Sequence, residues 1–143
     1  MLKPYVVPPI DAAIVQLDWA MRLVVEHQAY IPAITLSGAA EGMLERCLQS
    51  TGATATAHAT LKSSLVEKGY GSSDDIGKIM NGPRNFLKHL DLSAFDTDAA
   101  DLQSMAIAQI LQACIDLYRL DSSVCSEFDQ FYSWVQHNRP DLS

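Results

Sequence analysis

The sequence predicts an all-α protein: a single-domain helical bundle of five or six helices, with an up-down core and an added C-terminal helix. Three observations lead there. Apolar residues recur at helical period over most of residues 10–138, which is the pattern of helices that bury one face. No strand-period stretch longer than the nine-residue N-terminal arm occurs. A chain of 143 residues that is 48% hydrophobic and 19% charged can bury one core without staples, and is too apolar to be disordered as a whole.

Residues 1–9 read as an extended arm, because Pro4, Pro8 and Pro9 oppose a helix while Tyr5, Val6 and Val7 offer apolar groups to dock. Residues 10–143 form the bundle domain. Its first helix carries one stripe through Ile10, Ala13, Ile14, Leu17, Met21, Val24 and Val25, and a second through Val15, Trp19 and Leu23. Two apolar faces predict a helix sandwiched within the bundle or against a second subunit. After a break at Gln28 to Pro32, a helix over 32–49 presents Leu36, Ala40, Met43, Leu44 and Cys47. Its small residues Ser37, Gly38, Ala39, Ala40 and Gly42 permit a tight antiparallel hairpin with the first helix.

Residues 53–68 form a weaker helix with His58, Leu61 and Leu65 on one face, closed by Gly69 and Gly71. Ser73, Asp74 and Asp75 cap a short helix bearing Ile76, Ile79 and Met80, and Pro83 opens another over about 83–90. Beyond an acidic connection from Asp91 to Asp98, residues 98–119 give the longest helix. Leu102, Met105, Ile107, Ile110, Leu111, Cys114, Ile115, Leu117 and Tyr118 make it apolar nearly all round, which predicts a place at the centre of the bundle. A last helix starts at Asp121 to Ser123 and packs Val124, Phe128, Phe131, Tyr132 and Val135.

Cys47, Cys114 and Cys125 form no CxxC pair and are expected as buried thiols, a usage that suits a reducing compartment. The prolines of MLKPYVVPP interrupt any signal-peptide core, and no apolar run approaches the ~20 residues of a membrane span, so a cytoplasmic location without membrane contact is expected.

A net charge of −7 argues against a protein that coats nucleic acid indiscriminately, but the charge is uneven. Residues 62–89 hold five Lys/Arg against three Asp/Glu, whereas residues 90–143 hold two against nine. An anion site therefore belongs to the middle of the chain. Gly71 to Lys78 is no phosphate-binding loop, since its glycine spacing is too long and Asp74 and Asp75 would repel phosphate. Asp96, Asp98 and Asp101 lack the other ligands of a calcium loop. The four histidines show no metal-ligand spacing, so neither metal nor cofactor is expected.

The middle of the chain contains Pro83-Arg84-Asn85-Phe86-Leu87-Lys88-His89. Arg84, the polar Asn85 and His89 resemble the signature of the HEPN superfamily of compact α-helical domains, in which an arginine and a polar residue precede a histidine. Residues 10–49, including Ala39-Ala40-Glu41 before Met43 and Leu44, look like that family's opening hairpin, and the likeness spans about residues 10–120. Arg22 and His27 repeat the spacing, but Leu23 stands where the family prefers a polar residue.

The resemblance implies a metal-independent endoribonuclease or RNA-binding protein, its site composed across a homodimer from Arg84, Asn85 and His89. Lys88 and Lys78 add positive charge for phosphate. Histidine titrates near neutrality and can move the 2′-hydroxyl proton, while the arginine fork steadies charge on the phosphoryl oxygens. On an ideal helix Arg84 and His89 lie about 140° apart, whereas Asn85 and His89 share a face. The alternative is a non-enzymatic interaction module, docking a protein partner or a second copy through the first helix and the arm. A third reading makes the segment structural: Arg84 and Lys88 on a solvated face, His89 at a helix C-terminus, Phe86 and Leu87 in the core.

Overall fold

The computed structural model describes residues 4, 6–50, 57–69, 71, 72, 74, 99–121 and 124–143, with the backbone alone at 57–60 and 99–101. Among them lie five α-helices and no strand: α1 (Pro9–His27), α2 (Tyr30–Ser50), α3 (Ala57–Glu67), α4 (Ala99–Asp121) and α5 (Phe128–Asn138), followed by a 3-10 turn at Pro140–Leu142. The protein is the all-α helical bundle that the apolar periodicity predicts.

Helix α1 begins one residue before the sequence reading, at Pro9, whose missing N–H costs nothing in a first turn. Ala12 N–H donates to the Pro8 carbonyl at 3.0 Å to close that turn. The arm docks less than its composition suggests. Among its described residues, Val6 is 84% exposed, while Val7 lines a shallow notch between the start of α1 and the end of α2. Tyr5 lies outside the described residues.

The link between α1 and α2 is shorter than the predicted break, consisting of Gln28 and Ala29 alone. Gln28 adopts a left-handed conformation (φ 51°), and the N–H groups of Gln28 and Ala29 donate to the carbonyls of Val24 and Leu23 at 3.2 and 2.9 Å. These bonds satisfy carbonyls that the helix end leaves open and turn the chain straight into α2. Pro32 falls inside the first turn of α2, where no helical N–H is required, and so does not delay the helix.

The central helix is α2, packed between α1 and α4, rather than the long apolar α4. Size decides this. Two fully buried alanines come from each of the three helices: Ala13 and Ala20, Ala33 and Ala40, Ala106 and Ala113. Such side chains let helix axes come close. The buried stripe of α2 is Ala33, Ile34, Ser37, Gly38, Ala40, Glu41, Leu44 and Leu48, so Leu36, Met43 and Cys47 sit at its flanks instead of facing inward. The Ser37 hydroxyl is accommodated by donating to the carbonyls of Ala33 (2.7 Å) and Ile34 (3.3 Å).

Gln103 on α4 donates to the Tyr30 hydroxyl at 3.0 Å, and Gln109 donates to Glu41 at 3.3 Å. Both numberings rise together, so α2 and α4 run in the same sense. An opposed arrangement would separate one pair by far more than a side chain can span. The end of α5 returns to the start of α4, where Arg139 donates to Gln103 at 2.9 Å. Helix α5 is fastened by Phe131 and Val135, both fully buried, each contributing about 1.5–3 kcal/mol.

Helix α3 packs against α4 and ends as expected at Gly69, whose φ of 81° favours glycine. None of its described side chains is fully buried, and Leu61 is exposed rather than on an inner face. The His58 side chain lies outside the described residues.

Candidate functional site

Lys78, Arg84, Asn85, Lys88 and His89 all lie outside the described residues, as do the two short helices predicted around them. The competing pair Arg22 and His27 is described, and it does not converge. The Arg22 guanidinium lies 5.2 Å from the centre of the Trp19 ring and donates to Glu127 at 3.1 Å. His27 ends α1 with an exposed side chain, 3.9 Å from Glu26. Arg22 is thus committed to holding the α4–α5 link against α1.

The second apolar stripe of α1 is not sandwiched inside the bundle. Val15 and Trp19 are 55% and 53% exposed, while Leu23 packs on the rim of the core. A second exposed apolar area runs along α4 and the link after it: Ile115, Tyr118 and Val124 are 47%, 59% and 59% exposed. Val124 is therefore not a core residue of the last helix. That helix begins four residues later, at Phe128.

Between α4 and α5 this second area deepens into a groove of about 540 Å³. Leu111, Cys114, Ile115 and Tyr118 form one wall, Phe128 and Tyr132 the other, and Leu142 closes an end. The rings of Phe128 and Tyr132 stack with centres 5.7 Å apart. The lining is mainly apolar, with Arg119 at the rim, so the groove is suited to an apolar chain or side chain.

Two thiols line this groove, although eleven positions separate them in sequence. Cys114 is half-buried on α4 and Cys125 is buried in the link. The neighbouring Cys125 thiol first, then burial and the nearby Asp18 carboxylate, push the Cys114 thiol above its ordinary value. Cys114 is held as a thiol and is no activated nucleophile. Cys47 sits apart, half-buried beside the notch at the end of α2. Only Cys125 fits the expectation of full burial.

Sequence reasoning missed two buried acids. Glu41 is 2% exposed on α2 and Asp116 fully buried on α4. The signal was present in the pattern: Ile34, Ser37, Glu41, Leu44 and Leu48 share one face, so the acid interrupts an inner stripe. Among the described residues no group of three or more His, Cys, Asp or Glu is placed to hold a metal ion, and no described helix is long and apolar enough to cross a membrane.

No family model, no curated protein and no solved structure matches the chain.

Proposed function

We propose that this protein is a HEPN-like nucleic-acid-directed domain, a metal-independent endoribonuclease or RNA-binding protein that acts as a homodimer. Arg84, Asn85 and His89 are its working residues, with Lys78 and Lys88 as phosphate contacts. The observation that carries this reading is the Arg84-Asn85 pair followed by His89, within a net-basic stretch of an otherwise acidic chain. The helical architecture is of the class the resemblance implies, and Arg22 of the rival match is engaged by Glu127 and Trp19. In this reading His89 moves the proton of the ribose hydroxyl or of the leaving oxygen, Asn85 orients the imidazole, and Arg84 neutralises the phosphoryl oxygens. Exposed Val15 and Trp19 supply apolar surface for pairing two copies.

The test is incubation of the purified chain with a broad panel of single-stranded RNAs in EDTA, beside Arg84→Lys and His89→Ala. Cleavage that resists the chelator and falls in both variants supports the enzyme reading, and RNA binding that weakens in both supports the binding one. Light scattering at tens of micromolar should give a dimer that Trp19→Glu dissociates. A second reading, a non-enzymatic interaction module, is favoured by the exposed apolar face of α1 and the α4–α5 groove. It gains if the RNA panel is neither cut nor bound.

A further inference from the structure

We infer that the outer face of α1 docks the same face of a second copy of this chain, with the two helices antiparallel, so that Val15 meets Trp19 and Asp11 meets Arg22 across the interface. The inference rests on the homodimer of the proposed function and supplies its face and its register.

The face follows from helical spacing. Asp11, Val15, Trp19, Arg22 and Glu26 are separated by four, four, three and four residues, which places them within about 80° of one another on a helix of 3.6 residues per turn. All five are exposed, whereas Ala13, Leu17, Ala20, Met21 and Val24 on the other side of α1 are buried in the bundle. The result is one outward line with two apolar side chains at its middle, an acid toward the helix start, and a base and an acid toward its end. Trp19 and Val15 sit one turn apart and are more than half exposed, so the core of their own chain does not account for them.

Charge selects the occupant and its direction. A two-fold pairing applies the same line to itself, so each residue meets its counterpart on the other copy. Parallel helices would set Asp11 against Asp11, Arg22 against Arg22 and Glu26 against Glu26, three like-charge contacts. Antiparallel helices centred between Val15 and Trp19 set each of these two on the other. Asp11 then faces Leu23 of the second copy, one residue or about 1.5 Å of helix axis from Arg22, a gap that an arginine side chain spans readily. The symmetry repeats this opposite-charge pair, and Glu26 falls beside the uncharged Pro8. The line is therefore complementary to its own reverse.

Arg22 can serve both contacts. Its Nε–H donates to Glu127 at 3.1 Å, the two Nη atoms of a guanidinium carry four further N–H donors, and the side chain is 43% exposed. Two apolar side chains per copy make a small interface, so the dimer forms in the micromolar range and the charge pairs weigh heavily in its register.

The experiment measures self-association by analytical ultracentrifugation for the full chain, for Asp11→Lys, for Arg22→Glu and for an equimolar mixture of the two variants, with circular dichroism confirming that each is folded. Wild type should dimerise at tens of micromolar. Each variant alone places like charges at both pairs and should dissociate about tenfold more readily. In the mixture every changed residue faces the opposite charge, so a heterodimer should form with close to wild-type affinity. Asp11→Lys leaves the Arg22 to Glu127 pair in place and carries the test if Arg22→Glu folds poorly. An Asp11→Lys dimer as tight as wild type, or a mixture no tighter than its components, would overturn the register while leaving the homodimer standing. A wild-type chain that stays monomeric would overturn both, and the RNA assays would still report on Arg84 and His89.

Discussion

Asp18, in the middle of α1, accepts the backbone N–H of Glu127 at 3.1 Å and caps a helix that begins more than a hundred residues later in the chain. Its other oxygen accepts the Ser126 hydroxyl at 3.2 Å. Glu127 occupies the N-cap position of α5 in a helical conformation and makes no side-chain cap of its own. The start of α5 is therefore set from α1, where the acceptor is, and not by the Asp121 to Ser123 stretch that resembles a local cap. With the Arg22 to Glu127 ion pair on the adjacent turn, Asp18 ties the first and last helices together.

Asp18→Ala should lower stability by about 1–2 kcal/mol, the usual cost of a lost N-cap acceptor. In urea denaturation the midpoint should fall while the slope stays unchanged. Asp18→Asn, which keeps an acceptor oxygen for the Glu127 N–H, should lose less. Equal stability of wild type and Asp18→Ala would show that Asp18 does not hold the start of α5.

Gln28 bears a left-handed backbone at a position where glycine is the unstrained residue. Replacing it with glycine should stabilise the protein by about 0.5–1 kcal/mol, read as a higher thermal midpoint. Gln28→Val should act in the opposite direction, because a β-branched side chain tolerates positive φ poorly.

Arg139 holds Asp141 in a two-pronged pair, Nε to Oδ1 at 3.0 Å and Nη2 to Oδ2 at 2.9 Å. These hydrogen bonds lower the Asp141 carboxyl below its ordinary value. The sign follows directly: whatever the pair contributes is fully present above the ordinary carboxylate value, near pH 4, and is lost as the pH falls through the lowered one. A carboxyl-carbon NMR titration should place Asp141 below the ordinary aspartate value. Arg139→Gln or high salt should return it upward, and no change in Arg139→Gln would discard the assignment.

His89→Ala should reduce any RNA cleavage by about 10²–10⁴-fold with the helical circular dichroism intact, as befits loss of a proton-transfer group. Arg84→Lys should also be damaging, since lysine keeps the charge but loses the planar fork. Arg22→Lys with His27→Ala should leave the specific rate unchanged once stability is matched, because Arg22 contacts Glu127 and Trp19. Full activity in His89→Ala would reject the assigned role.

By itself the sequence determined the class of the fold, through local physics: a 3.6-residue apolar period specifies which stretches coil, and Gly69 closes α3 because few other residues accept its φ. It also singled out Arg84, Asn85 and His89, which lie outside the described residues and await the RNA experiment. Tertiary structure alone decided which apolar faces meet and which stay open. Periodicity assigns an apolar stripe to a helix without saying which neighbour covers it, so the two stripes of α1 look alike in sequence. One closes on α2 and the other leaves Trp19 in solvent. Burial of Glu41 and Asp116 and the reach of Asp18 to α5 both depend on residues from separate elements. Such contacts depend on how closely the helix axes approach, which the six buried alanines of α1, α2 and α4 set only after the helices have packed.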